Sequence, residues 1–172
     1  SHDEERIVYD AITNGSAEVK SVATAIERVK AAAALFFLTP GPKLIWQFGE
    51  LGYDVSIDQN GRTGAKPIRW EYLRDNKRLQ LYNVFSELIR FKTTQAVTKT
   101  TDFSLQTTET LKQLILNSPT MKVQVIANFG LTDQVVALPV GRWFDFFSGD
   151  EITVTSSLPQ YAFRAGQFHV LT

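Results

Sequence analysis

An α/β segment followed by an all-β segment is the fold class that the sequence predicts, and three observations carry it. The first is a short apolar run, Leu44, Ile45, Trp46 and Phe48, with Pro40 and Gly41 before it and Glu50 after it. It is too short for a helix and too continuously apolar for a strand with one wet face, so it reads as a strand buried on both sides. The second is a helical stripe on either side of that run, an order expected of a βα unit in a layered α/β fold. The third is a change of character at Thr94, after which short alternating segments recur about every ten residues without a helix among them.

In chain order, residues 1–14 form a charged cluster leading into Ile7, Val8, Tyr9 and Ile12, with a turn at Asn14 and Gly15. Val19, Val22, Ile26, Val29 and Ala33 then fall at helical spacing, with Lys20, Glu27, Arg28 and Lys30 off the stripe. Ser16 stands where an N-cap belongs, and the helix is expected to stop near Phe37, before Pro40. The small residues Ala31–Ala34 suit a helix lying close to a sheet. After the buried strand, residues 51–75 contain Gly52, Gly61, Gly64 and Pro67 and read as a long loop, a length usually reserved for function or disorder. A second helix is expected from about Asp75 to Lys92 on Leu81, Tyr82, Phe85, Leu88 and Ile89.

Beyond Thr94, strands are expected around Phe103 and Leu105 and at 111–116, 122–128, 134–138, 142–147, 151–154 and 162–171. Turn-forming residues separate them, which predicts an antiparallel β-sandwich. The domains are therefore residues 1–94 and 95–172.

Composition narrows the function classes. Hydrophobic residues make up 44% and charged residues 21% of the 172, ordinary for a chain that buries a core. Eighteen basic and eighteen acidic residues cancel, and they cancel in both halves, so no basic footprint for nucleic acid or anionic lipid exists. Cysteine is absent, which excludes disulfides and thiolate metal sites. No apolar run approaches the roughly 20 residues of a membrane helix.

Ser1, His2 and Asp3 are consecutive and so cannot form a hydrolase triad, which is assembled from separate segments. His169, the other histidine, reads as a satisfied strand residue, and no carboxylate cluster has metal-ligand spacing. There is no phosphate-binding glycine loop or dinucleotide fingerprint; the loop glycines read as turn residues.

Four motifs in order resemble a known family: SHDEER at 1–6; ALFFLTPGPKLIWQFGELG at 34–52; GRTGAKPIRW at 61–70; and VGRWFDFFSGDEITV at 140–154. Together they look like the last quarter of the α-amylase family, glycoside hydrolase family 13. In that family a His-Asp pair closes the seventh strand of a (β/α)8 barrel. An alanine-rich helix, Pro-Gly-x-Pro, an apolar strand and Gly-Glu make up the eighth strand region, and a Pro-x-x-Trp element follows. A Gly-x-Trp-x-Asp-x-x-(Ser/Thr)-Gly hairpin belongs to the C-terminal β-sandwich. The resemblance thus implies the end of a truncated barrel, with two helices and one buried strand in residues 1–94, joined to the sandwich.

Active sites of such barrels lie at the carboxyl ends of the strands. That would place His2, Asp3, Gln47, Glu50 and the loop to Trp70 on one rim. The resemblance makes Asp3 the third active-site acid, which steadies the transition state, and His2 a contact to the sugar in the cleavage subsite. Glu50 and Arg62 face the same rim. Trp70 and Tyr53 have faces suited to sugar rings, although packing in the interior is the stronger expectation for Trp70. Of the adjacent aromatics Trp143, Phe144, Phe146 and Phe147, alternation lets at most half form a sugar platform.

The family's nucleophile and general acid come from strands that precede this sequence. A fragment of a retaining α-glucan hydrolase is therefore expected, inactive alone, with α-glucan or maltooligosaccharide as the parent's substrate and no metal or other cofactor implied. Its partners would be the missing barrel portion and, through the unpaired strand, other copies of itself; nucleic acid and membrane are not expected. The alternative is a non-catalytic carbohydrate-binding module. Localisation stays open, with polymeric substrates favouring an extracytoplasmic parent.

Overall fold

The computed structural model describes residues 3–158 and 161–172. Three α-helices, α1 (Ile7–Asn14), α2 (Val22–Leu38) and α3 (Asn76–Thr94), precede eight strands. The chain divides into two compact units, and the division falls inside two of these helices. One unit holds the residues up to Lys30 with Pro42–Glu87; the other holds Ala31–Gly41 with Leu88–Thr172.

In the first unit, Val8 of α1 meets Ala25, Ile26 and Val29 of α2 and Leu81 of α3 in a core closed to water. The apolar cluster of α1 is thus helical, a third helix beside the two expected. α2 begins later than the Ser16 cap would have it: the Thr24 amide donates to Ser21 Oγ at 3.1 Å, so Ser21 is the N-cap. Residues 17–19 form a separate turn that cannot join the helix. α3 is capped by Asp75, whose Oδ1 accepts from the amides of Lys77 (2.8 Å) and Arg78 (3.1 Å). Lys30, on the inner side of α2, is satisfied by Glu27 at 2.9 Å and Gln80 at 3.3 Å.

The run from Leu44 to Phe48 departs from expectation. It forms no strand ladder among the described residues, and Leu44, Ile45 and Trp46 are 59%, 41% and 41% exposed. A strand buried on both faces requires neighbours for its backbone and covering layers for its side chains; among the described residues no strand lies beside residues 44–46, and their side chains stay exposed. Only Phe48 is buried, at the point where the chain turns into a short 3-10 helix, Gly49–Leu51. Gly52 ends that turn with φ +66, and a Cβ there would press within 3.4 Å of Ile26, Leu81 and Val8. Glycine is required at this position twice over, by conformation and by space.

The second unit is antiparallel throughout. Strands β1 (Phe103–Gln106), β2 (Leu111–Asn117), β3 (Lys122–Asn128) and β8 (Phe168–Leu171) form one sheet in the order β1-β2-β3-β8. Two further two-stranded sheets complete it: β4 (Gln134–Val136) with β7 (Tyr161–Phe163), a pair with two strands between them in the chain, and the consecutive β5 (Gly141–Phe144) and β6 (Glu151–Val154). The segment expected as one strand at 162–171 is two, because residues 164–167 turn, with the Gln167 amide donating to Arg164 O at 3.0 Å. The strand expected at 142–147 stops at Phe144, where Asp145 opens a turn. Ile126, Val136, Trp143, Val154, Phe163 and Leu171 bring all three sheets into one core. Alternation on β5 holds: Trp143 is 8% exposed and Phe144 41%. The C-terminal end of α3 packs here, the Phe91 ring meeting Phe146 edge-on at 5.0 Å. No helix among the described residues is long and apolar enough to cross a membrane.

Candidate functional site

In the first unit an open cleft of about 450 Å³ is lined by Asp3, Arg6, Trp46, Gln47, Arg62 and Lys66, among others. The leading segment is held there by Glu5. Its Oε1 accepts from the Ile57 amide and its Oε2 from Ser56 Oγ, both at 2.9 Å, across 51 or more residues of sequence. Burial pushes the Glu5 carboxyl up, but the hydrogen bonds from the Arg6 and Ile57 amides and the Ser56 hydroxyl, with the Arg6 charge, outweigh it and hold the group below its ordinary value. Glu5 is therefore an ionised clamp that sets the position of Asp3, two residues earlier. Arg62 closes the cleft from the other side, its Nη2 donating to the Asp3 carbonyl oxygen at 2.6 Å.

An aromatic cluster, whose members are not among the residues lining the cleft, follows Gln47 in the chain. Phe48 sits in the left-handed region at φ +56, uncommon for a bulky residue and a mark of backbone held by its surroundings. Its ring meets Trp70 edge-on at 4.9 Å and Tyr53 at 5.7 Å. The Tyr53 hydroxyl donates to Pro67 O, and Tyr72 donates to Asp54. Arg78, 5% exposed, ties this region together. It donates to Leu51 O at 2.9 Å and to Gly52 O, pairs with Asp54 at 2.7 Å, and lies 3.8 Å from the centre of the Tyr72 ring. Burial, together with the bond to Asp54 and its charge, raises the Tyr72 phenol well above its ordinary value, keeping it a donor.

The sequence-derived site residues fare differently. Asp3, Gln47 and Arg62 come together at the cleft; His2 lies outside the described residues. Glu50 is on the 3-10 turn and is not among the residues lining the cleft. Tyr53 is buried to 2% and presents no face to a ligand, whereas Trp70, expected inside, is 64% exposed. Arg6 and Lys66 were not singled out by sequence. Lys66 could not have been, since its role depends on how the loop before it folds.

His169, read as a satisfied strand residue, is one. Its Nδ1 lies 2.7 Å from Asp145 Oδ2 and its Nε2 2.9 Å from Gln167 Nε2. Gln167 Nε2 can only donate, so His169 Nε2 accepts and Nδ1–H donates to the carboxylate. Asp145 Oδ1 accepts from the Phe147 and Ser148 amides, each at 2.9 Å. Burial works to raise the Asp145 carboxyl, but the His169 hydrogen bond and the two amides together hold it low. Both oxygens are thus committed to holding the turn after β5 against β8. Among the described residues no group of three or more His, Asp and Glu side chains could hold a metal ion.

No protein-family model and no curated protein matches the sequence. Solved structures do match, over 99% of this chain in each of three cases. AmyP in complex with maltose is similar at 14% identity with a TM-score of 0.74, and 39% of its chain is covered. A pullulanase from Anoxybacillus complexed with maltotriose is similar at 14% identity and TM-score 0.75, with 26% covered. The trehalose-6-phosphate hydrolase of Bacillus licheniformis is similar at 18% identity and TM-score 0.64, with 41% covered. The chain spans well under half the length of each of these enzymes. Over that span it combines helices with antiparallel sheets as they do, so that the chain has the fold of a part of the α-amylase-family enzymes, the family its motifs resemble.

Proposed function

We propose that the chain is the C-terminal portion of a retaining α-glucan-active glycosidase, made of the end of a catalytic (β/α)8 barrel in residues 1–94 and a β-sandwich in 95–172. The observation that carries this reading is the fold shared over 99% of the chain with enzymes of the amylase and pullulanase type. The cleft at Asp3 supports it.

In this reading Asp3 faces the glycosidic centre. Positive charge develops on the ring as the bond breaks, and a fixed carboxylate lowers the energy of that oxocarbenium-like state more than that of the ground state. Glu5 and Arg62 contribute by fixing the backbone on which Asp3 stands. The resemblance gives His2, outside the described residues, the role of a contact to the same sugar. The exposed Trp70 offers a flat face to a further glucosyl ring, supported from beneath by Phe48.

Retention needs a nucleophile and a general acid about 5 Å apart, and neither role has a candidate among these residues. The chain alone is therefore inactive. Release of reducing ends from maltooligosaccharides, assayed for this chain and for the complete reading frame that encodes it, tests the proposal. No turnover by the chain and turnover by the complete protein is the expected result; hydrolysis by the chain alone contradicts it.

A further inference from the structure

The loop before Pro67 contains an arrangement that the cleft alone does not explain. Four backbone carbonyls converge on the Lys66 ammonium: Gly61 O at 2.7 Å, Gln59 O at 2.9 Å, Gly64 O at 3.0 Å and Arg62 O at 3.4 Å. Carbonyl oxygens aimed at one point repel one another unless a cation stands between them. An ammonium has three N–H donors, and three of the four distances are short. The loop bends to make this cage. Asn60 and Gly61 both take positive φ, +60 and +77, and Asn60 Nδ2 bonds Ala65 O at 3.0 Å to close the ring. Within the cage sits Arg62, whose own carbonyl is the fourth oxygen and whose guanidinium reaches Asp3 O at 2.6 Å.

We propose that residues 59–66 fold around a fixed monovalent cation supplied by the chain itself, and that Lys66 is thereby the positioning residue that presents Arg62 to the Asp3 segment. The cage distances of 2.7–3.4 Å are longer than calcium or magnesium coordination, at about 2.3–2.6 and 2.0–2.1 Å respectively. They suit an ion of ammonium or potassium size, for which carbonyl rings are established hosts. With the side chain truncated, the same carbonyls should accept a free ion of that class. The service of Arg62 to a sugar rests on the glycosidase reading; the cage does not, and its test needs no turnover.

The test compares Lys66→Ala with the unsubstituted chain by amide hydrogen exchange at 61–65, with β3 amides as the control for global folding. Loss of charge-assisted bonds of this kind should speed loop exchange by about tenfold or more while β3 is unchanged. Potassium or ammonium chloride should restore protection, and sodium chloride at equal ionic strength should not. Unchanged loop exchange in the variant overturns the proposal, as does restoration equal for all three salts or for none. If the variant does not fold, acetylation of the unsubstituted chain decides. Lys66 should react at least about tenfold more slowly than the half-exposed Lys77, since its lone pair becomes available only when the cage opens. Equal rates overturn the proposal.

Discussion

At the scale of single residues, Asp145 is the clearest case of a side chain whose type is dictated by its bonds. It serves two amides, His169 and the continuation of β5 alongside β8, where Asp145 bridges Leu171. Asp145→Ala leaves two amides and an imidazole N–H without acceptors and should cost about 2–4 kcal/mol, measured as a shift in urea midpoint. The pH dependence follows from the lowered carboxyl. A depressed folded-state value contributes stability that is present above the unfolded value of about 3.9 and is lost as pH falls through the lower folded value. Unfolding midpoints between pH 6 and 2.5 should therefore fall more steeply for the native chain than for Asp145→Asn; parallel curves would contradict this. The sequence placed His169 in a strand, where it lies. The bond between His169 and Asp145, 24 residues apart, was not legible, because no local pattern encodes a partner brought in by sheet pairing.

At the scale of elements, what was readable is what local periodicity controls. The strands at 122–128 and 151–154 fall at their expected bounds, and α3 starts one residue after its expected beginning at Asp75. The start of α2 failed because Ser21, and not the expected Ser16, caps it. Ser21→Ala should destabilise α2 by about 1 kcal/mol, and Ser16→Ala should have little effect, by thermal melting. The apolar run at 44–48 failed for a different reason. Its composition encodes burial, but burial depends on neighbours, and no strand among the described residues pairs with residues 44–46. Arg78, buried among Leu51 O, Gly52 O and Asp54, fixes the turn that follows that run. Arg78→Met removes the cation paired with Asp54 and leaves that carboxylate the Tyr72 bond, and should cost the first unit about 2–4 kcal/mol, seen as faster amide exchange at 51–54.

At the scale of the whole molecule, the exposed apolar side chains Leu44, Ile45 and Trp46, 59%, 41% and 41% exposed, form a patch that invites contact with another chain. Self-association through it is our proposal for the isolated chain. Sedimentation should show a weight-average mass that rises with concentration, and Ile45→Lys should suppress the rise. A single mass at all concentrations would contradict it.

The candidate site was legible in part for the same reason as the fold. The motif around Asp3 and the loop carrying Arg62 lie in separate stretches, and their order matched a family pattern; the clamp at Glu5 and the cage at Lys66 exist only once the chain has folded. The most direct measurement is the rate of the complete enzyme on a maltooligosaccharide with Asp3→Asn as the sole change. The isosteric amide removes the charge and keeps the shape. If Asp3 steadies the transition state, kcat falls by about 10²-fold or more with KM little altered. A complete enzyme whose kcat survives that substitution would contradict the account.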